Sequence, residues 1–186
     1  SPSPSSSKPD PSELPRRFVE QSDALLADGL HYETRIHERG EIATRTENWH
    51  DLFNALVWLR HGELKLALNA RQAAEVARIG TRQRSRAQEA MTQFDEAGCV
   101  VLLRDPDLLA LWDAHHWPGL FWRQRDAWRD GRIELAVFGH ALFEHALVPE
   151  LLLVGKCLAV FDETAGTGES VVAVATAISD GAVLNE

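Results

Sequence analysis

The spacing of apolar residues divides the chain into segments of different period. Leu14, Phe18, Leu25 and Leu26 recur at helical intervals and the run ends near Gly29, which predicts a first helix. From Tyr32 to Arg45, two short segments with β-branched residues flank Glu38-Arg39-Gly40-Glu41 and read as a hairpin. A helix is expected to start near Asn48, and a second, roughly Glu63 to Ile79, to follow a break at His61-Gly62. Arg84 to Glu96 has helical character and stops at Gly98, the residue favoured just past a helix end. Cys99 to Leu103 is a short apolar strand. Leu108 to Trp128 forms one or two helices with a break at Pro118, and Ile133 to Phe138 is a strand feeding a helix from His140 to Leu147. Val171 to Ile178 suits a buried strand or a helix equally. The sum is a helix-rich α+β single domain with a small β-sheet or hairpin.

Length and composition narrow this picture. Residues 1–12 are nearly all Ser and Pro and have no apolar surface to offset ordering entropy, so a disordered tail is expected. The remainder, 13–186, suits one globular domain. The net charge of −9 disfavours a broad phosphate-binding surface, and nucleic acid is not an expected partner. Arg82, Arg84 and Arg86 read as a solvated helix face. The two cysteines, Cys99 and Cys157, lie among apolar residues without CxxC spacing, and both read as core thiols with no redox role. No apolar run approaches the ~20 residues that span a bilayer, and no signal-peptide core is present, so a cytoplasmic location is expected. Four of the six tryptophans fall between Trp112 and Trp128, where packing is the simplest role.

Three clusters carry candidate chemistry. On a helix from Asn48 to His61, Trp49, Leu52, Phe53 and Leu56 form one apolar stripe, the expected core face. His50 and Asn54 fall one turn apart on a neighbouring face, Asn48 is a natural N-cap, and Asp51 sits in the first turn, where negative charge is favoured. In Phe138-Gly139-His140-Ala141-Leu142-Phe143-Glu144-His145, His140 and Glu144 share a helix face. The string is HxxxEH, neither HExxH nor HxxEH, so His145 points elsewhere. His140 and Glu144 would hold a divalent metal if another segment completed the set. Asp95 and Glu96 oppose the dipole at the end of their helix, a mild cost that suggests pairing with an arginine or a cation. Lys65 and Asn69 are weaker candidates. Thr164 to Glu169 lacks the Lys-Ser/Thr of a Walker loop and reads as a flexible loop.

Thr44 to Trp58, with Lys65 and Leu68-Asn69, resembles the signature of a bacterial family of unknown function, domain family 3025. Arg84-Ser85-Arg86 through Phe94-Asp95-Glu96-Ala97-Gly98 and Phe138 to Glu144 are similar to that family as well. The resemblance implies membership and brings no activity or cofactor with it. Gln88-Glu89 and His61-Gly62 depart from the family pattern, which sets Glu89 and His61 aside. The expectation is a hydrolase-like enzyme whose polar pocket uses His50, Asp51, Asn54, Asp95 and Glu96, with a metal at His140 and Glu144 and a small-molecule or protein ligand. The alternative is a non-catalytic ligand- or protein-binding domain whose polar clusters are structural.

Overall fold

A computed structural model of the protein describes residues 15–163 and 174–177. The expected tail at 1–12 and the loop at Thr164–Glu169 lie outside the described residues. So does most of the ambiguous Val171–Ile178 segment, of which residues 174–177 are helical.

The chain opens with strand β1 (Arg17–Glu20), a helical turn α1 (Asp23–Leu26), helix α2 (Tyr32–Arg39) and strand β2 (Glu41–Thr44). Two expectations fail here. The first helix begins as a strand and keeps only a helical turn around Leu25 and Leu26, and the first arm of the supposed hairpin is a helix. β1 pairs with β2 in parallel, Arg17 opposite Glu41 through Glu20 opposite Thr44, so a tertiary pairing overrides the helical spacing at Phe18. Gly40, which looked like a hairpin turn, is instead the left-handed residue that ends α2 (φ 67°). Arg35 of α2, almost fully buried, donates to Asp28, to Glu41 and to the Leu25 carbonyl, fastening these elements together.

Three helices follow, close to the expected bounds: α3 (Trp49–Arg60), α4 (Gly62–Ile79) and α5 (Arg86–Ala97). Asn48 caps α3 by accepting from the Asp51 backbone N–H at 2.9 Å. A reciprocal capping box between Ser85 and Gln88 starts α5. Strand β3 (Gly98–Leu103), helix α6 (Pro106–Asp113), a π-helical turn (Gly119–Arg123), helix α7 (Arg125–Asp130), strand β4 (Ile133–Val137), helix α8 (His140–His145) and strand β5 (Lys156–Phe161) complete the order. The strand character of β5 was not read from its sequence. The sheet order is β4-β3-β5, with β4 antiparallel and β5 parallel to β3.

Every residue of β3 is buried. Its Val100 face packs with Val57, Leu64, Leu68, Met91, Phe94 and Phe138, joining the sheet to α3, α4 and α5. Its Val101 and Leu103 face packs with Leu108, Leu120 and Ala127 from the α6–α7 side. A third cluster, Ile36, Ile42 and Trp58, secures α2 and β2 against α3. No helix among the described residues is long and apolar enough to cross a membrane.

The orientation of α3 reverses the sequence expectation. Its apolar stripe is the open face: Trp49 is 59% exposed, Leu52 45% and Leu56 49%, and Phe53 is half-buried. The buried residues are Asp51, Val57 and Trp58, with His50 and Asn54 half-buried beside them. Polar partners for Asp51 and for the Asn54 amide nitrogen offset part of this inversion, while Asn54 Oδ1 and Trp58 Nε1 are buried without a hydrogen-bond partner. Leu56→Ser should therefore change unfolding free energy by no more than about 0.5 kcal/mol, whereas Trp58→Ala should cost about 3–5 kcal/mol in chemical denaturation. A comparable loss at Leu56 would mean that the stripe is core after all.

Candidate functional site

The site is assembled where two chain segments cross. The β4–α8 turn lies directly against the α5–β3 junction, and the backbone N–H groups of Phe138 and Gly139 both donate to the Gly98 carbonyl, at 2.9 and 2.8 Å. A side chain at position 139 would collide with the backbone of Ala97 and Gly98. Only glycine allows the approach, and the approach brings His140 beside Asp95 and Glu96.

His140 is 3% exposed, and its Nδ1 lies 2.9 Å from the Asp95 carbonyl oxygen. A carbonyl only accepts, so Nδ1 carries the proton and Nε2 presents its lone pair. Burial, before any other influence, lowers His140 to about 4, which keeps the ring neutral. His50 on α3 has its Nδ1 2.9 Å from Glu144 Oε2, again an acceptor. Its Nε2 lies 2.9 Å from His140 Nε2. Glu96 Oε2 stands 3.5 Å from His140 Nε2 and 3.8 Å from His50 Nε2. Burial is the main influence that raises the Glu96 carboxyl. Each of the three residues offers one ligand atom, and the three atoms lie within 4.8 Å of one another. For comparison, two donors each about 2.1 Å from a tetrahedral ion lie roughly 3.4 Å apart.

A buried ion pair stands behind His140. Lys65 Nζ is 2.6 Å from Asp95 Oδ1, and the lysine side chain is only 4% exposed. The ammonium also sits over the Trp58 and Phe138 rings, 5.4 and 5.8 Å from their centroids. Lys65, a weak candidate in the sequence, thus fixes the residue whose carbonyl fixes His140. The partner foreseen for Asp95 was an arginine or a cation, and it is this lysine.

The remaining candidates sit differently. Asp51 accepts from the Arg45 backbone N–H and from its guanidinium at 2.6 to 2.9 Å. Burial raises its carboxyl, but these hydrogen bonds outweigh burial and hold it below the ordinary carboxylate range. Asn54 donates to the Tyr32 hydroxyl at 3.0 Å. Glu144 meets His50 rather than sharing a ligand with His140. His145 is exposed, in keeping with the helical wheel.

These groups open into a cavity of about 300 Å³ whose walls include His50, Glu96, His140, Glu33, Gln72 and Gln88. Glu33 and Gln72 escaped the sequence reading, and Gln88 entered it only as a departure from the family pattern. Gln72 continues a buried polar row on α4, Lys65, Asn69 and Gln72, at intervals of four and three among Leu64, Leu68 and Val76. That row was the available signal, because a helix core face seldom carries three polar residues without a purpose. Glu33 was hidden by its assignment to a hairpin. Its Oε2 accepts from Asn69 Nδ2 at 2.7 Å.

Burial raises Glu33 from 4.5 to about 7. Asn69 opposes the shift, Asp95 adds to it and Lys65 reduces it. An acid raised by folding stabilises the fold fully below its unfolded value and loses that contribution as pH climbs through the folded one. The stability of the protein relative to its Glu33→Gln variant should accordingly fall between pH 4.5 and about 7 and level off above. Urea titrations across that window test this; a flat or rising difference would contradict it.

No curated protein and no solved structure matches the chain. Residues 16–180 match the family described as Protein of unknown function (DUF3025), and the chain belongs to that family.

Proposed function

We propose that the protein is a metal-dependent hydrolase acting on a small polar molecule, with His50, His140 and Glu96 as the metal ligands. The observation that carries this reading is the convergence of two imidazole Nε2 atoms and one carboxylate, while both Nδ1 atoms are held by acceptors. With both Nδ1 atoms held, the two Nε2 atoms face each other across 2.9 Å beside the Glu96 carboxylate, a donor set that a cation can join. A carboxylate or carbonyl behind each ligating imidazole is the usual way in which a protein sets the tautomer of a metal-binding histidine. Three protein ligands leave a position open, as hydrolytic centres require.

A bound divalent ion would lower the pKa of a water molecule and polarise the bond to be cleaved. The residues of the chain do the rest. Glu144 and the Asp95 carbonyl hold the two rings in register. Glu33 lines the same cavity and exchanges its proton near neutrality, the property required of a general acid or base. The cavity walls offer a polar substrate both neutral amides, Gln72 and Gln88, and the cationic Arg45 and Arg84. The net charge of −9 favours a small molecule over nucleic acid, and the cytoplasm is the proposed compartment. A purely structural role is favoured only at Asp51 and Asn54, whose polar contacts lie within the fold.

Calorimetric titration of chelator-stripped protein with Zn²⁺, Mn²⁺ and Fe²⁺ should reveal one tight equivalent for at least one ion. His140→Ala and His50→Ala should abolish it, and Glu144→Gln should weaken it by about 10–100-fold. Turnover of a panel of chromogenic esters, amides and phosphoesters should stop on addition of chelator. No saturable binding by any of these ions, or binding untouched in His140→Ala, would refute the metal. Binding without chelator-sensitive turnover would leave the site as a metal-binding module and refute the hydrolase.

A further inference from the structure

We infer that Cys99 and Cys157 form an oxidisable dithiol, with Cys157 as the residue attacked by a hydroperoxide and Cys99 as the residue that resolves it into a disulfide. This inference is independent of the metal reading. Both thiols were expected in the core, and only Cys99 is there, at 6% exposure; Cys157 is exposed. The two residues are direct partners in the parallel pairing of β3 and β5. Partnered strands run about 4.8 Å apart, inside the roughly 4.4–6.8 Å range of Cα separations that a disulfide bridges.

Three features favour reaction over inert packing. The first is asymmetry. An accessible thiol beside a buried one is the arrangement of a sensing and a resolving cysteine. The second is the pairing itself: the neighbouring Cys99 thiol across the strands lowers the outer thiol to about 7, and Cys157 in turn raises the inner one. The third is freedom to adjust. In the β4-β3-β5 order, β5 is an edge strand, paired among the described residues with β3 alone. Gly155, two residues before Cys157, lies over the Cys99 sulfur, where an added Cβ would come within 3.0 Å of Sγ. The absence of a side chain there keeps the space beside the sulfur open.

The chemistry balances in two steps. The Cys157 thiolate attacks the hydroperoxide, its O–O bond breaks, and Cys157 becomes a sulfenic acid while the other oxygen leaves as alcohol or water. The Cys99 sulfur then attacks Cys157 Sγ, the S–S bond forms, and the sulfenic hydroxyl leaves as water with the Cys99 proton. Two thiols are oxidised and one peroxide is reduced.

The test treats the reduced full chain with hydrogen peroxide, alkylates the remaining thiols and maps peptides without reduction. A Cys99–Cys157 linked peptide, loss of two hydrogens from the intact mass and reversal by dithiothreitol are expected. Cys99→Ser should halt at a sulfenic acid that dimedone traps on Cys157, and Cys157→Ser should react at least tenfold more slowly. Both cysteines recovered as alkylated thiols, or Cys157 linked to a second copy of the chain, would overturn the inference. Should Cys99→Ser fail to fold, the wild-type peptide map decides alone.

Discussion

The contact on which the site depends is the close crossing of the Gly139 turn over the α5–β3 junction. Backbone meets backbone there, with Phe138 and Gly139 donating to the Gly98 carbonyl. Two consequences follow from one approach. Strand β4 is locked into register on β3, and the first residue of α8, His140, is delivered to the end of α5, where Asp95 and Glu96 sit. The acids at the helix end, unfavourable for the dipole, gain their explanation. Asp95 is neutralised by Lys65, and Glu96 faces two imidazoles.

Around that crossing, polar groups occupy positions that a helix normally gives to apolar ones. Lys65, Asn69 and Gln72 lie buried on α4, and α3 turns His50 and Asn54 inward while Trp49, Leu52 and Leu56 face out. A hydrophobic core alone would have chosen the opposite roll of α3. What holds the observed roll is a set of specific partners: Arg45 for Asp51, Tyr32 for Asn54, Glu144 for His50. Trp58 on the inner face adds apolar packing against Ile36 and Ile42. A network of this kind fixes geometry at the expense of stability, which is the usual signature of a site rather than of a scaffold.

Local signals carried much of this fold. The cap at Asn48, the break at His61-Gly62, the stop at Gly98 and the uniform apolar run of β3 placed α3, α4, α5 and β3 near their observed bounds. The N-terminal segment was misread because its decisive interaction is non-local: β1 is a strand only by pairing with β2, which lies beyond α1 and α2. The site was legible in residue type and illegible in partnership. His50, Asp95, Glu96, His140 and Glu144 were all named, yet pairing His140 with Glu144 followed from helical spacing alone. Spacing cannot know that another helix presents His50 to both of them. Glu33 went unnoticed for the same reason that α2 did.

Anomalous X-ray diffraction from crystals soaked in Zn²⁺ would reveal directly whether a cation sits among the two imidazoles and Glu96. An anomalous peak is expected within about 2.0–2.2 Å of His50 Nε2, His140 Nε2 and one Glu96 oxygen, with both Nδ1 contacts to Glu144 and the Asp95 carbonyl intact. A structure in which the two Nε2 atoms remain 2.9 Å apart with no peak between them, joined by a proton alone, would contradict it.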